Sequence, residues 1–294
     1  MESTTTYQMI LDYQKVWATS RHVGYQETGK REGYVDLLTD NLFYDKLSIK
    51  TLEEYLSGQG NELNSQIKAL HSSSALCVNV FEYWRQARRI SEIAEACGAP
   101  ANMDEMEFEK KHRIPNLGTS HIDIEFSDGN SRAFAIEAKF AEPYHITTQR
   151  NNTHLDKYLK QDAIWTNLIE CKKLAKGVLE EEGKKTSWKH LDVPQLLKHI
   201  LSLSCCYGTN RFIFSYLWYD CGTQEARNHS HEIDEFGKRI KGEINFTSST
   251  YQNLFDKIAK IPRVDREYLS YLGERYIYTD NANIVFLFDG GASY

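Results

Sequence analysis

Two carboxylates and one amine recur at alternating positions of two short stretches of the chain. Asp123 lies within residues 121–126, and Glu137 and Lys139 lie within residues 134–139. Two neighbouring carboxylates can bind a hard divalent cation through oxygen, with water in its other positions. The cation lowers the pKa of such a water, while a lysine beside it can orient the water and stabilise charge developing on a phosphate. These residue types therefore suit hydrolysis of a phosphodiester.

Both stretches alternate strictly between apolar and polar residues and flank a polar turn, which predicts a β-hairpin. Burial of one face requires the two apolar sets to stand opposite each other. We therefore expect Ile124 to pair with Phe134, which makes Glu137 a diagonal neighbour of Asp123 within about 8 Å. The same register predicts a loop of roughly three or five residues with Gly129 at positive φ.

The composition of the 294 residues suits a folded protein with a sizeable core, since 41% are hydrophobic and 26% are charged. No apolar run approaches the roughly 18 residues of a membrane span, and no export signal is expected at the start. The six cysteines form no C-x-x-C pair, and we expect reduced thiols in a cytoplasmic protein. Membrane, disulfide-rich secreted and fibrous proteins are thereby excluded. The formal charge of −6 leaves nucleic-acid binding open, because binding needs only a local basic surface.

The elements around the hairpin are predicted to be mainly helical. Residues 1–57 form a partly helical arm, a helix begins near Asn61, and a longer helix covers about Ala75 to Ala96. The further expected elements are helices at 152–176, 194–206, 229–241, 249–260 and 265–276, and strands at 211–218 and 283–288. This order predicts an α/β fold in which helices flank one sheet.

Asp123 followed by Glu137-Ala138-Lys139 on consecutive strands resembles the PD-(D/E)xK nuclease superfamily. Five blocks over roughly residues 55–260 narrow the resemblance to a bacterial restriction endonuclease family. These blocks are Gly58-x-Gly60-x-Glu62-Leu63, Ser72-Ser73-x-x-Leu76-x-x-Asn79, Pro115-Asn116-Leu117, Glu137-Ala138-Lys139-Phe140-x-Glu142-Pro143-Tyr144 and Leu217-Trp218-Tyr219-Asp220.

The resemblance implies a restriction-endonuclease-like core, with a mixed central sheet flanked by helices, in a nuclease domain at 58–294 with additional C-terminal helices. It also implies Mg²⁺-dependent cleavage of DNA. Asp123 and Glu137 would then be metal ligands, and Lys139 the water-positioning base or charge stabiliser.

Several other residues could join this site. The superfamily's Pro-Asp dipeptide is replaced by Ile122-Asp123, so Glu125 on the same strand face competes with Asp123 as the first ligand. The carbonyl of Ala138 could add a ligand. Glu62 and Glu142 are candidate accessory carboxylates, although a first-turn helix carboxylate and a solvated loop carboxylate explain them without a metal.

The residues after the hairpin supply candidate nucleic-acid contacts, for which a solvated polar surface is the alternative explanation. They are Tyr144, Gln149, Arg150, Lys157, Lys160 and Gln161. The expected partner is double-stranded DNA, bound by a homodimer that cuts both strands. The phosphate-loop pattern G-x-x-x-x-G-K-[ST] is absent from the sequence, so we expect no ATP-driven translocation by this chain. In a restriction system, a methyltransferase or other defence-system component would be a separate chain. Two alternatives stay open: a non-catalytic DNA- or partner-binding module, and a nuclease acting on RNA or branched DNA.

Overall fold

A five-stranded sheet lies at the centre of the computed structural model, which describes residues 5–58, 65–129, 131–145, 153–180 and 188–277. Its strands are β1 (Glu105–Ile114), β2 (Gly118–Ser127), β3 (Ala133–Lys139), β4 (Phe212–Trp218) and β5 (Asn245–Thr250). They lie side by side in chain order. The pairs β1–β2 and β2–β3 are antiparallel, and the pairs β3–β4 and β4–β5 are parallel. The mixed sheet confirms the expected α/β fold of the restriction-endonuclease type.

Helices cover both faces of this sheet. The α-helices of the described residues are α1 (Thr6–Ser20), α2 (Ile49–Ser57), α3 (Ser73–Gln86), α4 (Ile90–Cys97), α5 (Thr153–Leu159), α6 (Ile169–Glu180), α7 (Val193–Tyr207), α8 (Gln224–Arg239), α9 (Tyr251–Ile258) and α10 (Arg266–Tyr276). On one face, Phe81 of α3 packs on Phe126 with ring centroids 6.1 Å apart. On the other face, His199 of α7 lies 6.0 Å from Phe214. None of the described helices is both long and apolar enough to cross a bilayer.

The helices α3 and α7, which pack on opposite faces of the sheet, begin at side-chain caps. The Ser72 hydroxyl accepts a hydrogen bond from Ala75 N at 3.2 Å and begins α3. Asp192 accepts one from Gln195 N at 3.0 Å, and Pro194 in the first turn of α7 lacks only an amide hydrogen that the helix does not use. These caps fix where each helix starts relative to the strand beside it.

The β2–β3 hairpin is confirmed, but the expected register is wrong by two residues. Ile124 pairs with Ile136 instead of Phe134. The five-residue loop 128–132 contains Gly129 at φ 68°, as expected. Asp128 accepts hydrogen bonds from Arg132 N at 3.3 Å and Nε at 2.6 Å, which closes this loop rather than a shorter one. The apolar faces match in either register, so the loop chemistry decides between them.

The long helix expected from Ala75 to Ala96 is two helices, α3 and α4. Arg88 between them has φ 57°, a left-handed conformation that interrupts a helix. The neighbouring Arg89 donates to Glu92 and to the carbonyls of Pro262 and Arg263, at 2.6, 2.7 and 2.9 Å. These contacts with the turn before α10 hold the break in place.

Some of the other helices and strands expected from the sequence are confirmed, and others are not. The helix expected at 152–176 is divided into α5, a 3₁₀ turn at Asp162–Trp165 and α6, whereas 194–206 and 211–218 correspond closely to α7 and β4. The three later helices correspond to α8, α9 and α10, while β1 and β5 were not expected. The helix start near Asn61 and the strand at 283–288 lie outside the described residues. The division of the chain after residue 57 stays a prediction.

Candidate active site

The β2–β3 hairpin brings Asp123, Glu137 and Lys139 to one end of one sheet face. The observed register, continued from Ile124↔Ile136, places Asp123 opposite Glu137 itself and therefore closer than the expected diagonal. Asp123 Oδ2 accepts a hydrogen bond from Ala138 N at 2.7 Å. Lys139 Nζ donates to Glu137 Oε1 at 2.5 Å. The three residues with the expected chemistry thus form one connected group.

Burial and neighbouring charges shift the pKa values of Asp123 and Glu137 in opposite directions. Burial and the charge of Glu137 raise the pKa of Asp123 well above its usual range. Glu137 is 0% exposed. Burial alone would raise its pKa, but Lys139 and His199 outweigh burial and hold the pKa at about 2. Burial also opposes the charge of Lys139, yet Glu137 and Asp123 outweigh it and raise the lysine pKa. The site therefore contains an ammonium ion beside a carboxyl group, that of Asp123, whose charged form its surroundings disfavour.

Helix α7 adds a histidine that the sequence interpretation missed. His199 Nε2 lies 3.1 Å from Glu137 Oε2, and the Ser120 hydroxyl makes a hydrogen bond with His199 Nδ1. The contact with Glu137 does not have hydrogen-bond geometry, so Oε2 is a buried carboxylate oxygen that accepts no hydrogen bond from the residues that the structure describes. The signal in the sequence was a histidine among the apolar residues of the helix predicted at 194–206.

Glu109 is a second residue that the sequence interpretation missed. Its neighbours pair as Phe108↔Ile124 and Lys110↔Ile122, which places Glu109 opposite Asp123 on the other side from Glu137. Glu109 has φ 50°, a local distortion of β1 at this position. After burial, Glu137 and Lys139, its charge also affects Asp123, whose pKa it raises. β1 was not predicted as a strand, so nothing in the sequence interpretation placed Glu109 here.

The donor set fits Mg²⁺ better than a softer metal. No group of three or more His, Cys, Asp or Glu side chains placed to hold a metal ion occurs within the described ranges. Two carboxylates and a backbone carbonyl are a typical partial oxygen set for Mg²⁺, which keeps several waters. Ala138 N points to Asp123, and the carbonyl of a strand residue faces the same side as its N–H. The unbonded Glu137 Oε2 and the repelled charge of Asp123 are what a divalent cation would stabilise.

Of the other acidic candidates, Glu125 belongs to a separate network. It is 3% exposed, and its two oxygens contact His112 Nε2 and Tyr207 OH, each at 2.6 Å. Both oxygens are therefore occupied, which favours Asp123 over Glu125 as the first ligand. Glu62 lies outside the described residues.

Glu142 joins the end of β3 to the start of α3. Its carboxylate accepts hydrogen bonds from Phe140 N at 3.1 Å, Ser73 N at 3.2 Å and the Ser73 hydroxyl. Ser73 in turn accepts from Phe140 N at 2.8 Å. Glu142 is exposed but not simply a solvated loop carboxylate, since it is bonded to the backbone that follows Lys139.

The residues expected to contact nucleic acid differ in exposure, and two of them lie outside the described residues. Tyr144 is buried, 2% exposed, and its hydroxyl donates to Tyr219 O at 3.1 Å, so that expectation is corrected: this side chain supports the core. Gln149 and Arg150 lie outside the described residues. Exposed Lys160 pairs with Asp156.

Lys157 is exposed and has no carboxylate partner among the described residues, whereas Gln161 is half-buried. Lys157 Nζ lies 4.9 Å from the Tyr158 ring centroid. Lys198 of α7, which the sequence interpretation missed, is half-buried and likewise has no carboxylate partner in the described part of the chain. Burial and the charge of Lys157 lower the pKa of Lys198, while Glu137 raises it. Lys198 therefore lies close enough to feel the charge of Glu137, and Lys157 lies close enough to feel that of Lys198.

Comparison with known proteins gives one family match. A family model described as "Restriction Endonuclease associating with ARP" matches residues 11–277. No curated protein and no solved structure matches significantly. The match covers most of the 294 residues and contains the hairpin and helix α7. The chain belongs to this restriction endonuclease family.

Proposed function

We propose that the protein is a Mg²⁺-dependent DNA endonuclease of the PD-(D/E)xK type, acting in restriction or phage defence. The observation that carries the proposal is the connected group of Asp123, Glu137 and Lys139 on adjacent strands. Membership of a restriction endonuclease family supports nuclease function in general. The site supports the finer assignment, because burial and Glu137 disfavour the charged form of Asp123 and a bound cation would offset that effect.

Each residue of the group has a distinct role in the proposed reaction. Asp123, Glu137 and the Ala138 carbonyl would hold Mg²⁺, which when bound polarises a phosphoryl oxygen and lowers the pKa of water. The raised pKa of Lys139 keeps it protonated. Lys139 therefore orients the attacking water and stabilises negative charge on the phosphate rather than removing a proton. His199 lies against Glu137 from α7 and helps to hold the pKa of that carboxyl low.

The substrate is proposed to be double-stranded DNA. Lys157 and Lys198, which have no carboxylate partner among the described residues, would contact backbone phosphates next to the cut. Binding should therefore weaken as salt increases, since each neutralised phosphate releases counterions. Cleavage of both strands favours a homodimer. The proposed location is the cytoplasm. The family description, which names association with ARP, supports a separate partner chain.

The test compares wild type, Lys139→Ala and the matched control Lys260→Ala, which changes an exposed lysine of the described surface. Supercoiled plasmid, phage DNA and structured RNA would each be incubated with Mg²⁺ or EDTA. We expect Mg²⁺-dependent cleavage of DNA by wild type and control. Lys139→Ala should be slower by roughly 10²–10³-fold, the usual loss when one charge stabiliser is removed.

Two results would contradict the proposal. Cleavage by Lys139→Ala at the wild-type rate would show that the nuclease site is elsewhere. Absence of Mg²⁺-dependent cleavage of any substrate by folded wild type, with circular dichroism confirming the fold, would favour a non-catalytic binding module. Preferential cleavage of RNA would keep the chemistry and reject DNA as the substrate.

A further inference from the structure

A cavity of about 610 Å³ lies beside the start of α3. Its walls come from α1, from residues 29–34, from residues 66–74 and from the segment that follows β3. Most of one wall therefore belongs to the N-terminal arm, residues 1–57, which contributes no residue to the proposed catalytic group. The volume is in the range of pockets that bind small molecules or single nucleotides.

Flat rings form much of the lining. Tyr7 meets His71 edge-on with ring centroids 5.3 Å apart and meets His145 at 4.7 Å. Tyr34 lies 6.2 Å from His71 on the far side. Burial lowers the pKa of His71, so this ring is neutral at pH 7. The aromatic lining is therefore suited to stack against a neutral planar group.

The polar groups of the cavity are unsuited to a phosphate. Glu142 lines it and would repel an anion, and Glu32, which also lines it, is already paired with Lys15 and offers no positive charge. Lys30 is the lysine that lines the cavity, and its side chain is exposed. Gln8 donates from Nε2 to Asp12 at 2.8 Å, which leaves its amide oxygen to accept a hydrogen bond. An aromatic lining with amide groups and little net positive charge matches a nucleobase better than a sugar phosphate.

The cavity is connected to the catalytic group through Glu142. This residue accepts a hydrogen bond from Phe140 N, the backbone group directly after Lys139, at 3.1 Å. Residues 139 and 142 are three positions apart, so their Cα atoms lie at most about 11 Å from each other. A strand whose phosphate lies at Lys139 can therefore place a neighbouring base in this cavity.

We propose that the cavity binds one unstacked nucleobase of the DNA strand that is cut, next to the scissile phosphate. The inference rests on the proposed nuclease function and assigns a substrate contact to the N-terminal arm. Unstacking one base from a duplex is feasible for enzymes that bind it in an aromatic pocket. Base stacking on aromatic side chains is sequence-tolerant, because every base has a flat face.

The test measures binding without cleavage, in EDTA, by fluorescence anisotropy. The probe is a short DNA duplex with one unpaired 2-aminopurine, and its matched control carries an abasic site at that position. We expect wild type to bind the base-containing probe about tenfold more tightly and to quench its fluorescence. Tyr34→Ala should remove this difference and leave binding of the abasic probe unchanged, whereas Tyr34→Phe should retain it. His145→Ala, at an exposed position, is a second variant should Tyr34→Ala fail to fold.

The outcomes separate this inference from the proposed function. Equal affinity of wild type for both probes, or a Tyr34→Ala variant that keeps the base preference, would overturn the nucleobase site. If Lys139→Ala still lost DNA cleavage in Mg²⁺, the nuclease proposal would stand without the cavity. Conversely, base-dependent binding combined with undiminished cleavage by Lys139→Ala would support the cavity and reject the assigned catalytic group.

Discussion

Replacement of Asp123 by asparagine should stabilise the metal-free protein while it abolishes metal binding. The asparagine side chain would keep an oxygen for the hydrogen bond from Ala138 N, which is 2.7 Å long. The substitution would remove the charge that burial and Glu137 oppose. Relief of such strain at a functional site commonly adds about 0.5–2 kcal/mol to the free energy of unfolding. We expect about 1 kcal/mol for Asp123→Asn, or a rise of roughly 2–4 °C in the unfolding midpoint.

The pH dependence of this gain has a definite sign. The pKa of Asp123 in the folded protein is raised above its value of 3.8 in the unfolded chain. Below pH 3.8 the Asp123 carboxyl is protonated in both the folded and the unfolded state, so wild type and Asp123→Asn should differ little in stability. As pH rises above 3.8, ionisation increasingly favours the unfolded wild type. The advantage of the variant should therefore increase from pH 4 towards neutrality.

Mg²⁺ should reverse the order of stability. A ligand at 100 times its dissociation constant stabilises the folded state by about 2.7 kcal/mol. Wild type should gain this amount and Asp123→Asn little or none. Urea unfolding at pH 7 in EDTA and in Mg²⁺ measures both effects, with Asp45→Asn as a control at an exposed position. A variant less stable than wild type in EDTA, or one stabilised equally by Mg²⁺, would refute the reasoning.

Two further substitutions test neighbouring parts of the structure. Glu125→Gln should lower the free energy of unfolding by about 1–3 kcal/mol, because a buried acceptor of two short hydrogen bonds is weakened. It should keep Mg²⁺-dependent cleavage, and loss of cleavage in the folded variant would identify Glu125 as a ligand after all. Arg275→Met should cost about 3 kcal/mol or more in urea unfolding, because Arg275 is 0% exposed and donates to both oxygens of Asn41. A loss below about 1 kcal/mol would show that water replaces the guanidinium at little cost.

The hairpin could be predicted from the sequence because its signal is local. Alternation identifies the strands, and the polar turn with Gly129 identifies their connection. The register could not be fixed, since apolar faces match at several shifts of two residues. Asp128 decided it through hydrogen bonds to Arg132, a contact that alternation does not encode. The grouping of Asp123, Glu137 and Lys139 was still predicted, because a register shift of two residues preserves which side chains share a face.

The residues missed at the site come from elements that are distant in sequence or weakly patterned. His199 reaches Glu137 from a helix beyond β3, and its spacing from the hairpin carries no motif. Glu109 lies in β1, where charged residues hide the alternation of an edge strand. Tyr144 was assigned to DNA because it follows the motif, but tertiary packing buries it. Sequence reasoning therefore found the residues of the candidate site that share one hairpin and missed the neighbours that other elements bring to it.

The placement of the candidate site within one hairpin has a consequence for how the protein can diversify. Asp123, Glu137 and Lys139 are fixed by β2, β3 and their short loop, whereas residues 140–211 separate β3 from β4. The longer excursion carries α5, α6 and α7 and can accept insertions or substitutions without altering the hairpin register. The candidate site can therefore be inherited as one contiguous piece of chain while the segment that follows it changes.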